Sequence, residues 1–87
     1  MAKMIINQKV EDFGKWKSQF DAMSALRKQF GCTGEQVFKG DNNPNEVVII
    51  TQWGNNDQAR SYGQSNDLKE GMKKAGVTGA SSIYFVD

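Results

Sequence analysis

The sequence predicts an α+β fold with a four-stranded antiparallel sheet and two helices on one face. Three observations carry that prediction. The stretch Val47-Val48-Ile49-Ile50-Thr51-Gln52-Trp53 is rich in β-branched residues, which suit a pleated backbone. From Phe13 to Phe30, large apolar residues recur every three or four positions, the period of an amphipathic helix. The segments then run strand, helix, strand, strand, helix, strand, the split βαβ order of ferredoxin-like folds. Right-handed crossovers put both helices on the same side and the first and third strands in the middle.

Each element has its own local signals. Met4 to Val10 is the first strand: Met4, Ile6, Gln8 and Val10 share one face, and Ile5, Asn7 and Lys9 share the other. Asp12 suits a helix N-cap, because its carboxylate can accept from the free amides of the next turn. Phe13, Trp16, Phe20, Met23, Leu26 and Phe30 form the apolar stripe, and Gly31 suits the left-handed residue that ends a helix. The core explains this stripe; Trp16 or Phe20 could also line a ligand cavity. Gly34 to Lys39 is a short polar strand suited to a sheet edge. The run Gly40-Asp41-Asn42-Asn43-Pro44-Asn45 is dense in turn residues and joins it to Val47–Trp53 as a hairpin. A second helical region follows Gly54-Asn55-Asn56-Asp57, with Asn56 or Asp57 as its cap and Ala59, Tyr62 and Gly63 as a short buried face. A break is expected near Ser65, where Ser65 or Asn66 can recap. Leu68, Met72 and Ala75 then continue the helical period to a stop at Gly76. Val77 to Ala80 reads as a loop and Ser82 to Val86 as the last strand.

Composition narrows the function classes. The 87 residues predict one domain, 1–87. Eleven basic and ten acidic residues are spread along the chain, so no basic block marks a nucleic-acid partner. No apolar run approaches the roughly 20 residues of a membrane span. The opening stretch, Met1 to Ile6, is too short for a signal peptide and leads directly into a strand, which points to the cytoplasm. There is no histidine and one cysteine, so no metal site, internal disulfide or Ser-His-Asp triad is expected. Cys32 lacks the base that would activate it and reads as an incidental, partly buried thiol. Gly31-Cys32-Thr33-Gly34 lacks the pattern of a phosphate-binding loop.

Two helices can cover only one face of the sheet. Yet the first, third and last strands carry apolar groups at both parities. An exposed apolar sheet is rare in a soluble monomer, so a second copy packed sheet on sheet is the economical solution. The expected partner is therefore the protein itself, in a homodimer.

Two segments bring a family into view. Val10-Glu11-Asp12-Phe13-Gly14-Lys15-Trp16-Lys17-Ser18-Gln19-Phe20-Asp21 resembles the V-x-D-aromatic-x-x-W-K-x-x-F-D segment of small dimeric α/β-barrel proteins. Ser65 to Val77 is similar to their S-x-x-L-K-x-x-M-x-x-A-G-V segment, and Asn43-Pro44-Asn45-Glu46 and Trp53 extend the likeness over nearly the whole chain. The superfamily includes cofactor-free antibiotic-biosynthesis monooxygenases, polyketide cyclases, haem-degrading enzymes and many members of unknown function, which this chain most resembles. The resemblance implies a ferredoxin-like dimeric α/β barrel. Where such proteins often carry a histidine two residues before the valine, this chain has Gln8, a carboxamide without acid–base chemistry. Without a histidine to ligate iron, haem degradation is not expected.

The cavity of this fold is expected between helices and sheet. Its candidate ligand-binding residues are Asn7, Gln8, Trp16, Thr51, Trp53, Arg60 and Tyr62, with no cofactor and no metal. Strand parity puts Thr51 and Trp53 on the face opposite to Gln52, and leaves open which face meets the helices. The ordinary reading of Tyr62 is a ring on the sheet with its hydroxyl in water; that of Arg60 is a solvated charge. The leading expectation is a dimer that binds a small apolar or aromatic molecule. A cofactor-free monooxygenase or cyclase acting on an aromatic or polyketide-like substrate is the second. A purely structural dimer is the third.

Overall fold

The computed structural model describes residues 2–87; Met1, at the head of the opening stretch, lies outside them. Eight elements follow in order: β1 (Ala2–Val10), α1 (Phe13–Ala22), α2 (Ser24–Phe30), β2 (Cys32–Lys39), β3 (Glu46–Trp53), α3 (Asn56–Gly63), α4 (Asn66–Ala75) and β4 (Val77–Val86). The four strands form one antiparallel sheet in the order β2-β3-β1-β4, with β1 and β3 central as the sequence predicts. This is the ferredoxin-like arrangement, with each expected helix divided into two segments.

Parity decides the two faces. Met4, Ile6, Gln8 and Val10 of β1 are buried, as are Val47, Ile49, Thr51 and Trp53 of β3. This is the face the helices cover, and the core lies between the two layers. Trp16, Ala59, Tyr62, Leu68 and Ala75 come down on it from the helices.

The first helical region is not continuous. Asp12 caps α1 as expected, its Oδ2 accepting from Lys15 N at 2.8 Å. At Met23 the backbone turns to φ −92° and ψ 5°, and its N–H is shared between the Gln19 and Phe20 carbonyls at 3.2 Å each. Met23 lies on α4 at Gly71, where an added Cβ would sit 2.3 Å from the Met23 sulfur. The periodic stripe records burial, and burial continues across the bend, so periodicity did not mark it. Gly31 and Gly76 end α2 and α4 in the left-handed conformation.

Of three further boundaries, the cap of α4 agrees with expectation and the other two differ. Asn55, not Asn56 or Asp57, caps α3 through its side chain, which accepts from Gln58 N at 2.9 Å. Ser65 caps α4, accepting from Leu68 N at 3.1 Å. The stretch Val77 to Ala80 is part of β4 rather than a loop. Its register against β1 jumps from Asn7↔Ser82 to Lys9↔Thr78, a bulge in which β4 carries two extra residues. Gly79 lies inside it at φ 71°, a conformation glycine adopts without cost. Small residues and a glycine resemble a loop in sequence, while β1 supplies the ladder that makes them a strand.

The outer face is bare. The register aligns Gln36, Ile50, Ile5 and Tyr84 in one row across all four strands, and Phe38, Val48, Asn7 and Ser82 in the next. Phe38 is 49% exposed and Tyr84 57%, with Val86 beside them at 37%.

Candidate functional site

A narrow cavity of about 40 Å³ lies between the sheet and the helices. On this measure a water needs about 10–15 Å³, so the space is on the scale of a few waters. Met4, Ile6, Gln8, Ile49 and Thr51 form its floor. Trp16, Gln19, Phe20, Met23 and Arg27 come from α1, α2 and the bend between them. Tyr62 comes from α3, and Leu68, Gly71, Met72 and Ala75 from α4. Most of this lining is apolar. Met23 and Met72 are unbranched thioethers whose rotamers can yield to an entering ring.

The polar groups gather at two ends. At one, Trp16 Nε1 donates to Gln8 Oε1 at 3.1 Å, both side chains buried. At the other, Thr51 Oγ1 donates to the Met4 carbonyl at 3.2 Å and accepts from Trp53 Nε1 at 2.8 Å. Thr51 lies opposite Met4 in the ladder, and Gln8 is four residues further along β1. At about 3.3 Å per residue, the two ends are about 13 Å apart. Ile6 and Ile49, paired between them, form the apolar middle.

The Thr51 end also holds the buried charge. Glu35 is paired with Thr51 across β2 and β3, and Arg27 Nε donates to Glu35 Oε2 at 2.7 Å. The Arg27 side chain is only 3% exposed, against 31% for Glu35. Its guanidinium stacks on the Phe20 ring, Cζ 3.7 Å from the centroid. Arg27 Nη2 is buried and has no hydrogen-bond partner among the described residues. Tyr62 packs between Phe30 and Trp53, with ring centroids 5.4 and 5.3 Å away. Burial pushes the Tyr62 hydroxyl above its ordinary pKa, with Arg27 pulling the other way. The hydroxyl therefore stays protonated at neutral pH and can donate. Cys32 is buried nearby; burial raises its thiol too, and it donates to the Gly34 carbonyl at 3.3 Å.

Of the residues singled out in the sequence, Gln8, Trp16, Thr51 and Tyr62 meet at this cavity. Trp53 is buried behind it, bonded to Thr51 rather than lining the space. Asn7 is on the opposite face of β1 and exposed, as parity requires once Gln8 faces inward. Arg60 lies outside, on the wet side of α3, 3.8 Å from Asp57 and more than half exposed. Tyr62 is 2% exposed, so its hydroxyl does not reach into water as its ordinary reading held. Arg27 went unnoticed in the sequence. Its signal was phase: it stands four after Met23 and three before Phe30, on the apolar stripe.

Among the described residues, the lining contains no carboxylate and no histidine, and its only ionisable groups are Arg27 and Tyr62. It can hold a small molecule and donate hydrogen bonds to it, but it offers no ready base at neutral pH. Among the described residues, no cluster of His, Cys, Asp or Glu could hold a metal, and no helix is long and apolar enough to cross a membrane.

Comparisons agree with this architecture. A Bordetella bronchiseptica protein that carries the antibiotic biosynthesis monooxygenase name superposes with a TM-score of 0.84 at 15% identity, covering 99% of this chain and 94% of its own. SnoaB, a cofactor-independent oxygenase from Streptomyces nogalater, gives 0.75 at 14% identity, covering 99% and 92%. PA3566 from Pseudomonas aeruginosa gives 0.70 at 12% identity, covering 98% and 90%. At these identities the likeness is one of fold. No curated protein matches the chain. The model of the family described as antibiotic biosynthesis monooxygenase matches residues 9–74, which reaches from the end of β1 into α4 and includes the cavity side chains from Trp16 to Met72, while Met4, Ile6, Gln8 and Ala75 lie outside it. The chain belongs to the antibiotic biosynthesis monooxygenase family.

Proposed function

We propose that this chain binds a small apolar or aromatic molecule in the cavity between helices and sheet. The observation that carries the reading is the cavity itself: an apolar middle, yielding methionine walls, and a few buried polar groups at its ends. Ligand sites are concave and mostly apolar, with few polar groups to orient what they hold. Gln8, Trp16, Thr51 and Tyr62 contact the ligand, with Trp53 holding Thr51 from behind.

The working unit is a homodimer joined through the outer sheet face. Support comes from the row Ile50, Ile5 and Tyr84, flanked by Phe38, Val48 and Val86, a contiguous apolar surface with no helix over it. A second copy about a two-fold axis would cover it with the same residues.

Native mass spectrometry of freshly purified protein, set against its denatured mass, tests both statements. A dimer with one extra mass per subunit is the expected result. A bare dimer that takes up no aromatic compound favours a purely structural role, and a bare monomer overturns the dimer.

Cofactor-free oxygenation of an aromatic or polyketide-like molecule is the second reading, favoured by the family match. The residues then bind and orient, and a substrate must enter already ionised, because the lining supplies no base. Oxygen uptake with easily ionised phenols as substrates, in metal-free buffer, tests it.

A further inference from the structure

The cavity is too small for the class of ligand proposed for it. An apolar cavity that admits benzene measures about 150 Å³, against about 40 Å³ here. A ring enters this chain only if part of the wall moves. Protein interiors are close-packed, so the movement belongs to particular side chains rather than to the whole lining.

Most of those side chains are pinned. Trp16 is bonded to Gln8 and stacked on Phe20. Phe20 carries the Arg27 guanidinium on its other partner side, and Arg27 is tied to Glu35. Tyr62 packs between two rings, and Thr51 makes two hydrogen bonds. Met23, a flexible thioether, is held by packing. It also stands at the mouth. Most of the lining is buried, whereas Gln19, Phe20, Met23 and Met72 are half-buried, so the cavity nears the surface between the end of α1 and α4. The backbone of Met23 is the bend itself, and α2 begins there without a side-chain cap.

Gly71 is the seat of this side chain. It lies inside α4 with ordinary helical backbone, where glycine is the poorest helix former after proline. The space left by its missing side chain is occupied. An added Cβ would fall on the Met23 sulfur and within 2.7 Å of the Met23 methyl carbon.

We propose that Met23 is the gate of this cavity, closed while its thioether lies in the Gly71 notch and open when it swings out toward solvent. The inference deepens the binding reading and rests on it. A ring-sized ligand takes the space that the thioether vacates, so Met23 and Gly71 together set how large a molecule the site admits. The sign of one substitution follows. A methyl added to a cavity wall ordinarily narrows the cavity. At Gly71 it fills the notch and holds the thioether out. More molecules are then open before the ligand arrives, and the apparent affinity rises with that fraction.

The test uses indole, a neutral bicyclic ring. Its affinity is measured calorimetrically for the parent, Gly71→Ala, Met23→Ala and the double variant, with melting curves to verify folding. Gly71→Ala should bind indole about tenfold more tightly than the parent, as a shift from a mostly closed to a mostly open population requires. In the Met23→Ala background the same methyl has no gate to displace and should weaken binding, so the two changes are not additive. Gly71→Ala binding no tighter than the parent overturns the gate. The parent alone gives a second readout, which stands even if Gly71→Ala fails to fold. With methionine methyls labelled, the Met23 signal is assigned by its loss in Met23→Ala. It should become more accessible to a soluble paramagnetic agent when indole binds. Indole binding with that accessibility unchanged or lowered leaves the cavity and removes the gate. If neither the parent nor any variant binds indole, the cavity reading fails and takes this inference with it.

Discussion

Arg27 and Glu35 touch each other, yet removing one should cost far more than removing the other. Arg27→Met takes away a charge-assisted hydrogen bond, a loss of about 1.5–3 kcal/mol. It also removes the guanidinium from the Phe20 face, about 0.5–2 kcal/mol. Against this, a methionine sulfur regains about 0.3–1.5 kcal/mol on the same ring. The unpartnered Nη2 disappears, which recovers about 1–3 kcal/mol of desolvation. Glu35, with a side chain 31% exposed, turns to water. The terms nearly cancel, and Arg27→Met should change stability by no more than about 1 kcal/mol. Glu35→Ala does the opposite: it strands a guanidinium with a side chain 3% exposed among Phe20 and the cavity wall. Breaking a buried pair from that side costs about 3–5 kcal/mol. In a chain of this size about 1 kcal/mol moves Tm by about 4–8 °C, so Glu35→Ala should melt more than about 12 °C lower. Urea titrations and melting curves of the two variants measure the asymmetry. Equal losses would refute the reasoning, because they would mean that Arg27 is no more committed to the interior than Glu35.

Trp16→Phe should cost about 1–3 kcal/mol beyond its lost packing, because Gln8 Oε1 is left buried without a donor; adding Gln8→Met should recover part of it, which a denaturant-melt double-mutant cycle reads directly. Alkali should weaken the fold: below the ordinary values of 9.0 for Cys32 and 10.0 for Tyr62 both groups are protonated in either state. Above them the unfolded chain releases protons that the folded chain retains, so stability falls as pH rises toward the raised folded values. Melting points stepped through this range should fall less steeply in a Cys32→Ala/Tyr62→Phe variant, and an unchanged slope would assign the loss to other groups. Ile50→Lys, at the centre of the bare sheet face, should yield a folded monomer by analytical ultracentrifugation, whereas a dimer surviving it would place the interface elsewhere. Arg60→Ala should stay within about 0.5 kcal/mol of the parent in denaturant melts, as expected for an exposed side chain outside the cavity.

The architecture was legible because it rests on local signals. The β-branched run of β3, the stripe of α1 and α2, and the turn residues of Gly40 to Asn45 each announce an element and its partner order. The bend at Met23 was hidden because it involves neither proline nor glycine, only a side chain settling on Gly71 from a distant helix. The site was half legible. Gln8, Trp16, Thr51 and Tyr62 are polar or amphipathic residues on otherwise apolar faces, a contrast visible in one dimension. Asn7 and Gln8 were equal candidates until the sheet chose a face, and that choice belongs to packing. Arg27 was missed because its meaning depends on Glu35, which sits on a different element and carries no mark in sequence of facing inward.

The two-residue excess of β4 across from Gln8 bears on how this chain can change in length. Side chains alternate along a strand, so in an unbroken ladder one inserted residue would turn Ile83 and Phe85 outward and Tyr84 inward. A bulge escapes that rule, because its extra residues stay unpaired and the ladder on either side keeps its facing. The bulge at Gly79 is where two extra residues are already housed. Descendants of this sequence should therefore gain or lose residues between Thr78 and Ser82 more readily than between Ser82 and Val86. The segment is a splice point inside a strand, and a library of length variants grafted there should keep more folded members than one grafted beyond Ser82.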